Sequence, residues 1–499
     1  MKKTLITLIL LAITFCLFFY TCSNRNLGET KFNFSIVENK DFKNLPALQS
    51  FAFATYKDYW IMLGGRTNGF HGFPNQPTPA FPYSKANKYI YVYNTKKHIL
   101  DSMSVYELPQ TIQNQYATTN MQQTQYGDFL YLCGGYGKAD SSSSSKFITD
   151  STISRINLPA LIQRVSLKRK NIMLETIFAF DSKPNFAVCA TGGELIKLEN
   201  GSFYLCVGHR YYGEYSDTLP PPIQRYRNNV TVFDLIEKSN SISINPSTIK
   251  IITDNLPDTT TQFHRRDLVV APAILGDKKS VGISIYGGVF TSKNSTPYLN
   301  PIYLTEKSYK VFPFKQPSNH YSAAHIEMYS KESNKMFTTI VGGIVDGFSD
   351  TSNASFTKKI LTLEKNYEID IVKSFYNKTE LDTFMGSESV FVLSNNLSKY
   401  KNNYSIIDFD KIPVMNKDSD SLLIGFIYGG ILSTAAQSNQ YPSSRQTFAP
   451  TFSSNKVYSV YINKYSKGSE SNNNIIFVFL IFIILIPILF LLIKKSKKS

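Results

Sequence analysis

The sequence lacks the short motifs that identify several classes of enzyme. It contains no Gly-x-Ser-x-Gly, no His-Glu-x-x-His, no phosphate-binding loop and no Cys-x-x-Cys, so serine hydrolase, zinc protease, nucleotide hydrolase and dithiol chemistry have no support. Asp140, Asp150 and Asp181 lie in polar stretches without the spacing of a calcium-binding loop. Function therefore has to be inferred from the fold and from clusters of polar residues.

Cysteine is scarce, with five residues in a chain of 499. Cys16 and Cys22 lie near the N-terminus, which leaves Cys133, Cys189 and Cys206 for the body of the protein. An odd number of thiols allows at most one intramolecular bridge. Cys189 and Cys206 are predicted to lie on neighbouring strands, so they are the candidate pair for a disulfide. Three buried free thiols are the alternative.

Acidic residues are fewer than basic ones, and the formal net charge is +16. Lys2, Lys3 and four lysines among the last six residues supply six of these charges. The rest of the chain has one compact basic run, residues 168–170. Proteins that bind nucleic acid usually concentrate their basic residues in a patch or stripe. A nucleic-acid partner is therefore not predicted.

Both ends of the chain carry long apolar runs. Residues 1–22 combine two lysines, an uncharged apolar stretch and a polar end, as in a secretory signal peptide, and Cys22 is a candidate for lipid attachment. Residues 475–493 are apolar and long enough to cross a bilayer as a helix. They follow a linker, residues 465–474, and precede a lysine-rich tail, residues 494–499. Because basic residues stay in the cytoplasm, the body is predicted to be membrane-anchored in the periplasm or on the cell surface.

A pair of glycines ends a short apolar run five times along the body. The runs are rich in β-branched and aromatic residues, and amphipathic helices are few, so the chain is predicted to be all-β. A sixth copy is degraded to Val207-Gly208. Such repetition is typical of a β-propeller. The five pairs are Gly64-Gly65, Gly134-Gly135, Gly287-Gly288, Gly342-Gly343 and Gly429-Gly430.

Each copy is predicted to contain four strands, the second of which ends at the glycine pair. The last copy lacks a fourth strand, and the alternating segment 32–38 has no partner of its own, so we expect that segment to complete the last sheet. The extra pair Gly192-Gly193 is predicted to lie within the first strand of the third copy. Residues 31–464 would then form six blades, or seven if the interval between Gly343 and Gly430 holds another unit.

The pattern resembles Kelch-type propellers, in which a double glycine ends the second strand of each blade. In that family the next strand carries Tyr-Asp and then a tryptophan, and Tyr93-Asn94 and Phe233-Asp234 are similar to the first part. The single tryptophan, Trp60, precedes a glycine pair instead, so the resemblance is to a divergent member. It implies a ligand site at the central channel and at the loops of one face.

Candidate binding residues lie near the predicted first strands and in the long loops. Two arginines beside a carboxylate can clamp an anion through paired hydrogen bonds, and pairing between blades is the alternative role. Aromatic loop residues can stack on sugars or anchor a protein. The predicted ligand-binding residues are Phe70, His71, Phe73, His209, Tyr211, Tyr212, Arg265, Arg266 and Asp267.

The favoured function is binding of a protein or glycan at the channel mouth, without a cofactor or a metal site. One alternative is a sugar epimerase or mutarotase similar to periplasmic sialic-acid epimerases, with Arg265, Arg266, His325 and Glu388 as candidate catalytic residues. Another is a copper oxidase similar to galactose oxidase, which would need Tyr and His ligands. No cysteine identifies itself for the Cys–Tyr cross-link of that family.

Overall fold

The computed structural model of the chain describes residues 30–71, 80–138, 142, 145–215, 222–275, 280–293, 296–306, 308–345, 355–414, 421–436 and 451–466. The predicted signal peptide with Cys22, the predicted membrane span and the basic tail lie outside these residues. Within them, no helix is both long enough and apolar enough to cross a membrane.

The chain divides into two compact units. The larger unit contains residues 34–412 and 423–461, and the smaller one contains residues 1–33, 413–422 and 462–499. Of the smaller unit the structure describes residues 30–33, 413–414, 421–422 and 462–466. The core and the candidate site described below belong to the larger unit.

The described chain is mostly β-sheet with few helices, which confirms the predicted all-β class. Its strands are rich in β-branched and aromatic residues, as in Tyr89–Asn94, where buried Ile90 and Val92 alternate with the less buried Tyr89 and Tyr91. The α-helices are Gln110–Tyr116, Leu158–Val165 and Leu174–Ile177, and the 3-10 turns are Tyr83–Lys85, Val105–Glu107, Phe186–Val188, Pro246–Thr248 and Phe409–Lys411.

Six sheets of the described chain share one plan, a meander in which the first strand pairs with the second, the second with the third and the third with the fourth. Their strands are: sheet 1, Ala52–Tyr56, Tyr59–Leu63, Tyr89–Asn94 and Ile99–Ser104; sheet 2, Gln122–Tyr126, Phe129–Cys133, Ile153–Asn157 and Phe178–Phe180; sheet 3, Glu194–Lys197, Phe203–Cys206, Val230–Phe233 and Lys250–Ile252; sheet 4, Val269–Leu275, Ser280–Tyr286, Ile302–Leu304 and Tyr309–Val311; sheet 5, His325–Ser330, Lys335–Val341, Ile360–Asn366 and Ile371–Tyr376; sheet 6, Val390–Leu393, Leu422–Tyr428, Val457–Ser466 and Thr30–Glu38.

The fourth strand of sheet 6 comes from the N-terminal end of the described chain, as the unpaired alternating segment predicted. The neighbouring sheet 5 also contacts this strand, since the backbone N–H of Phe34 donates to Asn377 Oδ1 at 2.7 Å and Asn377 Nδ2 donates to the Phe34 carbonyl at 2.9 Å. The strand therefore covers what would otherwise be an open sheet edge.

Smaller pairings lie in the connections between these strands. A four-stranded sheet combines two of the long connections, and the other pairings have two strands each; sheet 5 gains the short strand Ile407–Asp408 beside its first strand. The four-stranded sheet contains Tyr136–Lys138, Phe147–Thr149, His209–Tyr212 and Ile223–Tyr226, and the pairs are Leu235–Glu237 with Ile242–Ile244, Ile344–Val345 with Ser355–Phe356, and Ile431–Ser433 with Thr451–Ser453.

The glycine pairs end the second strands in a left-handed backbone conformation, which glycine adopts at little cost. In sheet 2, Gly134 and Gly135 have φ values of +66° and +98°, and Val207 and Gly208 take +49° and +84° in sheet 3. A Cβ on Gly134 would lie 2.0 Å from the carbonyl oxygen of Ala190, which precedes sheet 3. The pair thus allows one sheet to approach the backbone that leads into the next.

Hydrogen bonds at these pairs connect consecutive sheets. The second residue donates its N–H to a carbonyl just ahead of the next sheet, and Gly430 of sheet 6 donates to Leu48, ahead of sheet 1, at 2.8 Å. Sheet 4 approaches sheet 5 through Gly287, whose added Cβ would lie 2.0 Å from the Asn319 oxygen. This closed order of antiparallel sheets is compatible with a β-propeller. The other donor–acceptor pairs are Gly65–Thr118, Gly135–Ala190, Gly208–Arg265 and Gly343–Met385.

Side chains also satisfy the inner edge of the first strands. Gln123 and Gln125 of sheet 2 accept the backbone N–H groups of Phe53 and Thr55 in sheet 1, at 2.6 and 2.9 Å. Glu194 of sheet 3 accepts the N–H of Gln123 at 3.4 Å, and burial raises the pKa of Glu194 to about 7. These three backbone N–H groups in the first strands of sheets 1 and 2 therefore have side-chain acceptors from the following sheet.

The predicted Cys189–Cys206 disulfide is not formed, because Cys133, Cys189 and Cys206 are free buried thiols. Cys206 lies opposite Glu194 in sheet 3, whereas Cys189 precedes the sheet and directs its Sγ to the Thr149 carbonyl at 3.3 Å. The pair Gly192-Gly193 lies between Cys189 and the first strand, not within the strand as predicted. Burial raises the pKa of all three thiols, which favours the unreactive protonated form.

Candidate functional site

Two positions recur at the entrance of each sheet. A residue with positive φ stands two or three places before the first strand, and the residue before it bonds to the residue that follows the glycine pair. The positive-φ residues are Ser50, Asn120, Gly192, Asp267, Ser322 and Glu388. The bonded pairs are Gln49 with Arg66, Thr119 with Tyr136, Thr191 with His209, Arg266 with Val289, Tyr321 with Ile344, and Ser387 with Ile431.

Most of these recurrent positions line a cavity of about 60 Å³. Of the residues that follow the glycine pairs, those of sheets 1 to 3 line the cavity, whereas Val289, Ile344 and Ile431 of sheets 4 to 6 belong to an apolar cluster and do not. All of the lining residues are polar or aromatic. Its lining residues are Gln49, Ser50, Arg66, His71, Phe81, Thr119, Asn120, Tyr136, Thr191, His209, Tyr211, Tyr215, Arg266, Asp267, Tyr321 and Glu388.

Arg266 and Asp267 form a buried ion pair in the cavity wall. The Nη1 group of Arg266 donates to Asp267 Oδ2, its Nε donates to the Tyr226 hydroxyl at 3.1 Å, and its guanidinium stacks on the Phe290 ring. Burial alone would lower the pKa of Arg266, but the Asp267 carboxylate together with three nearby tyrosine hydroxyls raises that pKa well above its ordinary value. The two charges offset each other, so the pair adds little net charge to the cavity.

Arg66 is a second buried cation, and only 4% of its surface is exposed. Its Nε and Nη2 donate to Asn68 Oδ1 at 2.9 and 2.6 Å, and its guanidinium lies 4.1 Å from the centre of the Phe81 ring. Among the residues that the structure describes, no carboxylate oxygen lies within 4.0 Å of its nitrogens. Burial lowers the pKa of Arg66 to about 10, against the opposing effect of Glu388. This cation would gain from an anionic partner.

Glu388 supplies a carboxylate on the same cavity. Its Oε2 accepts hydrogen bonds from Ser50 Oγ at 2.5 Å and from Gln49 Nε2 at 3.0 Å. Burial raises the pKa of Glu388, although Ser50, Arg66 and Gln49 oppose that effect. The group is therefore easier to protonate than an ordinary glutamate, and its proton changes the net charge around Arg66.

His209 contributes a neutral imidazole. Its Nδ1 lies 2.6 Å from Gln224 Nε2, and burial together with Arg266 and His264 lowers its pKa well below the ordinary value. Because Nδ1 accepts from the Gln224 amide, the neutral ring carries its hydrogen on Nε2 and can donate it to a ligand. His209 and Glu388 thus give the cavity one neutral imidazole and one carboxyl group with a raised pKa.

Aromatic rings surround the outer part of the cavity. His71 stacks between Phe70 and Phe81 with ring centres 4.7 and 5.1 Å away, and it meets Tyr215 edge to face at 5.1 Å. Tyr136 donates its hydroxyl to the Gly213 carbonyl at 2.7 Å. Rings of this kind present faces for stacking and hydroxyl edges for hydrogen bonds.

The structure brings five of the predicted ligand-binding residues together, namely His71, His209, Tyr211, Arg266 and Asp267, with the catalytic candidate Glu388. Four other candidates, namely Phe70, Tyr212, Arg265 and His325, lie outside this lining. Phe70 packs in the apolar cluster beside the cavity, and Tyr212 is 47% exposed outside the lining. His325 lies on the first strand of sheet 5, where its Nδ1 is 2.6 Å from Glu327 Oε1 and its pKa is raised by that carboxylate against the effect of burial. Phe73 lies outside the described residues.

Arg265 points away from the cavity and supports the fold. Its guanidinium donates to the carbonyls of Gln262, Gly287 and Asn300 and stacks on Tyr298. Adjacent residues of an extended chain point in opposite directions, so Arg266 enters the cavity and Arg265 does not. The prediction that Arg265 and Arg266 together clamp an anion is therefore wrong, because only Arg266 lines the cavity. The other arginine of the cavity is Arg66.

Sequence reasoning missed Arg66, Tyr136 and Tyr321. Arg66 and Tyr136 directly follow a glycine pair, so the position after each pair could have indicated these two residues in the sequence. In the described part of the chain, no three His, Cys, Asp or Glu side chains are grouped to hold a metal ion. Burial lowers the pKa of His320 to about 4, and its Nδ1 lies 2.7 Å from the Gly342 carbonyl.

Comparison with known proteins adds no identification. No family model matches the chain, and no curated protein matches it in sequence. The function is therefore inferred from the cavity and from the sequence features around it.

Proposed function

We propose that the protein is a Kelch-like β-propeller with six blades, formed by sheets 1 to 6, and that it binds a ligand at the channel mouth. Hydrogen bonds that join five of the six pairs of consecutive sheets, the close approach of Gly287 in sheet 4 to Asn319 ahead of sheet 5, and the N-terminal strand in sheet 6 support six blades. In this proposal residues 1–22 direct export, residues 475–493 anchor the chain in the membrane, and the propeller faces the periplasm or the cell exterior.

We propose further that the ligand is a glycan or protein that carries a small anionic group, such as a carboxylate. The observation that carries this proposal is Arg66, a buried guanidinium without an ion pair to a described carboxylate. A cavity of about 60 Å³ suits a head group and not a whole sugar. The remainder of the ligand would lie against aromatic side chains such as His71 and Tyr215, where rings can stack.

Loss of the Arg66 charge tests this proposal. Replacing Arg66 with glutamine is expected to weaken binding of N-acetylneuraminate or glucuronate about 100-fold, because a charge-assisted hydrogen bond in a buried site is lost. Titration calorimetry measures the dissociation constants. Arg225, an exposed arginine, provides the matched control Arg225→Gln. The proposed role of Arg66 would be contradicted if both variants bound the acids with equal affinity. It would also be contradicted if the protein preferred neutral galactose to the two acids.

A sugar epimerase or mutarotase is the second candidate. It is favoured by the presence of His209 and Glu388 on one cavity, since their pKa values are shifted towards an unprotonated imidazole and a protonated carboxyl group. Exchange spectroscopy on the anomers of N-acetylneuraminate measures such activity. Anomer exchange that depends on His209, tested as His209→Gln, would favour the enzyme. Binding without faster exchange would favour the binding module.

Binding of the acid is expected to weaken as the pH rises. Glu388 is neutral below its pKa, and that pKa lies above the ordinary value of 4.5. When Glu388 ionises, its charge competes with the ligand anion for Arg66, so affinity falls through this window by roughly tenfold. Calorimetry at several pH values checks the prediction, and Glu388→Gln should bind with nearly constant affinity over the same range. A pH profile unchanged by Glu388→Gln would count against it.

A further inference from the structure

A second cavity, here named the edge cavity, lies beside the outer strand of sheet 6. Its volume is about 120 Å³, and it shares no lining residue with the candidate site. Its walls come from the fourth strand of sheet 6, from the start of the third strand, and from residues 381–385, which lead from sheet 5 into sheet 6. All of these lining residues belong to the larger unit, so the edge cavity is a separate site within it.

Part of the edge cavity is apolar and is held in place by the backbone. Leu381 and Met385 are 4% and 2% exposed. The N–H of Leu381 donates to the Lys358 carbonyl at 2.8 Å, and the Met385 carbonyl accepts the N–H of Gly343 at 2.8 Å. Ile36 adds a third aliphatic side chain to the lining. An alkyl group of a ligand can therefore pack against a preformed surface.

A buried hydroxyl group in the lining has no hydrogen-bond partner. Tyr458 is only 6% exposed, and among the residues that the structure describes none bonds to its Oη atom. Burial raises the pKa of Tyr458, and the Glu38 and Asp382 carboxylates add to that effect, so the hydroxyl lies close to both carboxylates and stays protonated. A buried polar group without a partner costs free energy that a bound ligand can recover.

The charges of the edge cavity leave one carboxylate unpaired. Lys456 Nζ lies 2.8 Å from Glu38 Oε2, so these two groups neutralise each other. The third charge belongs to Asp382, whose backbone carbonyl accepts from Lys358 Nζ at 2.8 Å and whose carboxylate forms no ion pair with a described side chain. A cation can pair with Asp382 without breaking an existing ion pair, whereas an anion would have to displace Glu38 from Lys456. The edge cavity thus favours a cationic ligand.

We propose that the edge cavity binds a primary ammonium group on an alkyl stem. An ammonium group has three donors and no acceptor, which matches the Asp382 and Glu38 carboxylates and the hydroxyl oxygen of Tyr458. The stem packs against Leu381 and Met385. A metal ion fits less well, because in the described part of the chain no three His, Cys, Asp or Glu side chains are grouped to hold one. The ammonium group can belong to a lysine of a protein or to a free alkylamine.

Ligand-observed NMR on the full-length protein tests the site and separates these two sources. Nα-acetyl-lysine methylamide and n-butylamine both carry the proposed group, and the tighter of the two is expected to bind with a dissociation constant on the order of 1 mM. Acetylation of the lysine side-chain nitrogen removes the charge and should weaken binding at least about tenfold. Tighter binding of the lysine compound would assign the site to a protein, and tighter binding of butylamine to a free amine. Equal binding of the acetylated compound would overturn the proposal.

Charge variants locate the binding at the edge cavity. Asp382→Asn is expected to weaken amine binding about tenfold. Asp41→Asn makes the same change at an exposed carboxylate outside the lining and should leave the affinity unchanged. Lys456→Met should tighten binding about threefold, because Glu38 then becomes available to the ligand. Equal effects of the two aspartate variants, or weaker binding by Lys456→Met, would contradict the proposal.

The Tyr458→Phe variant tests the buried hydroxyl apart from the charges. Amine binding is expected to weaken about threefold, while the urea midpoint of unfolding should not fall, since the hydroxyl has no hydrogen bond within the described protein to lose. Unchanged affinity of this variant would overturn the proposed geometry. Because the two cavities share no lining residue, failure of the Arg66 binding test would leave the inference standing.

Discussion

Replacing Arg265 with alanine is expected to lower the free energy of unfolding by about 3–5 kcal/mol. The side chain has no exposed surface. It donates to the carbonyls of Gln262, Gly287 and Asn300 at 2.6, 3.0 and 2.8 Å, and to Gln262 Oε1 at 2.9 Å. Alanine would leave these buried oxygens without their donor and open a cavity beside Tyr298.

Urea unfolding followed by Trp60 fluorescence measures this loss. Arg225→Ala removes an exposed arginine and should change stability by no more than about 0.5 kcal/mol. Arg265→Lys is expected to recover part of the loss, since an ammonium group can reach some but not all of the carbonyls. If the Arg265→Ala protein were stable but no longer bound carboxylated sugars, Arg265 would instead have to be part of the ligand site.

The repeated sheets could be predicted because their signal is local. A left-handed turn at the end of a buried strand favours glycine wherever it occurs, so five glycine pairs locate five second strands. The sixth second strand is harder to recognise in the sequence, because Val207 occupies the first position of its turn and adopts φ +49° without being glycine. The N-terminal strand was predicted from a long-range argument, the need to cover an open sheet edge.

The cavity was harder to predict because it depends on the direction in which single residues point. Arg265 and Arg266 are indistinguishable in sequence, yet one supports sheet 4 and the other lines the cavity. Arg66 lies about 200 positions earlier in the chain than Arg266, and only the closed order of sheets brings the two to one cavity. Cys189 was misassigned because Gly192-Gly193 looked like part of a strand, whereas Gly192 takes φ +67° ahead of it.

Most of the side chains that line the cavity stand at positions that recur at the entrance of each sheet, and their chemistry differs from sheet to sheet. Substitutions at those positions can therefore change recognition while the strands of the core stay the same. Fold alone does not define the ligand, which is why the charge of Arg66 carries the functional proposal.

Replacing Gly287 with alanine is expected to lower the free energy of unfolding by about 3–5 kcal/mol. Gly287 has φ +63°, and an added Cβ would lie 2.0 Å from the carbonyl oxygen of Asn319 and 2.9 Å from its carbonyl carbon. Both are backbone atoms of the segment that leads into sheet 5, so neither can move aside as a flexible side chain would. The substitution would force sheets 4 and 5 apart.

Gly127 separates this contact from the cost of the backbone conformation. It has φ +59°, nearly the same as Gly287, but an added Cβ there would meet nothing within 4 Å. Gly127→Ala is therefore expected to cost only about 1–2 kcal/mol, the penalty of a left-handed alanine. Urea unfolding of both variants gives the difference, which measures how closely sheets 4 and 5 are packed. Equal losses would mean that the conformation alone requires glycine and that the two sheets do not meet at Gly287.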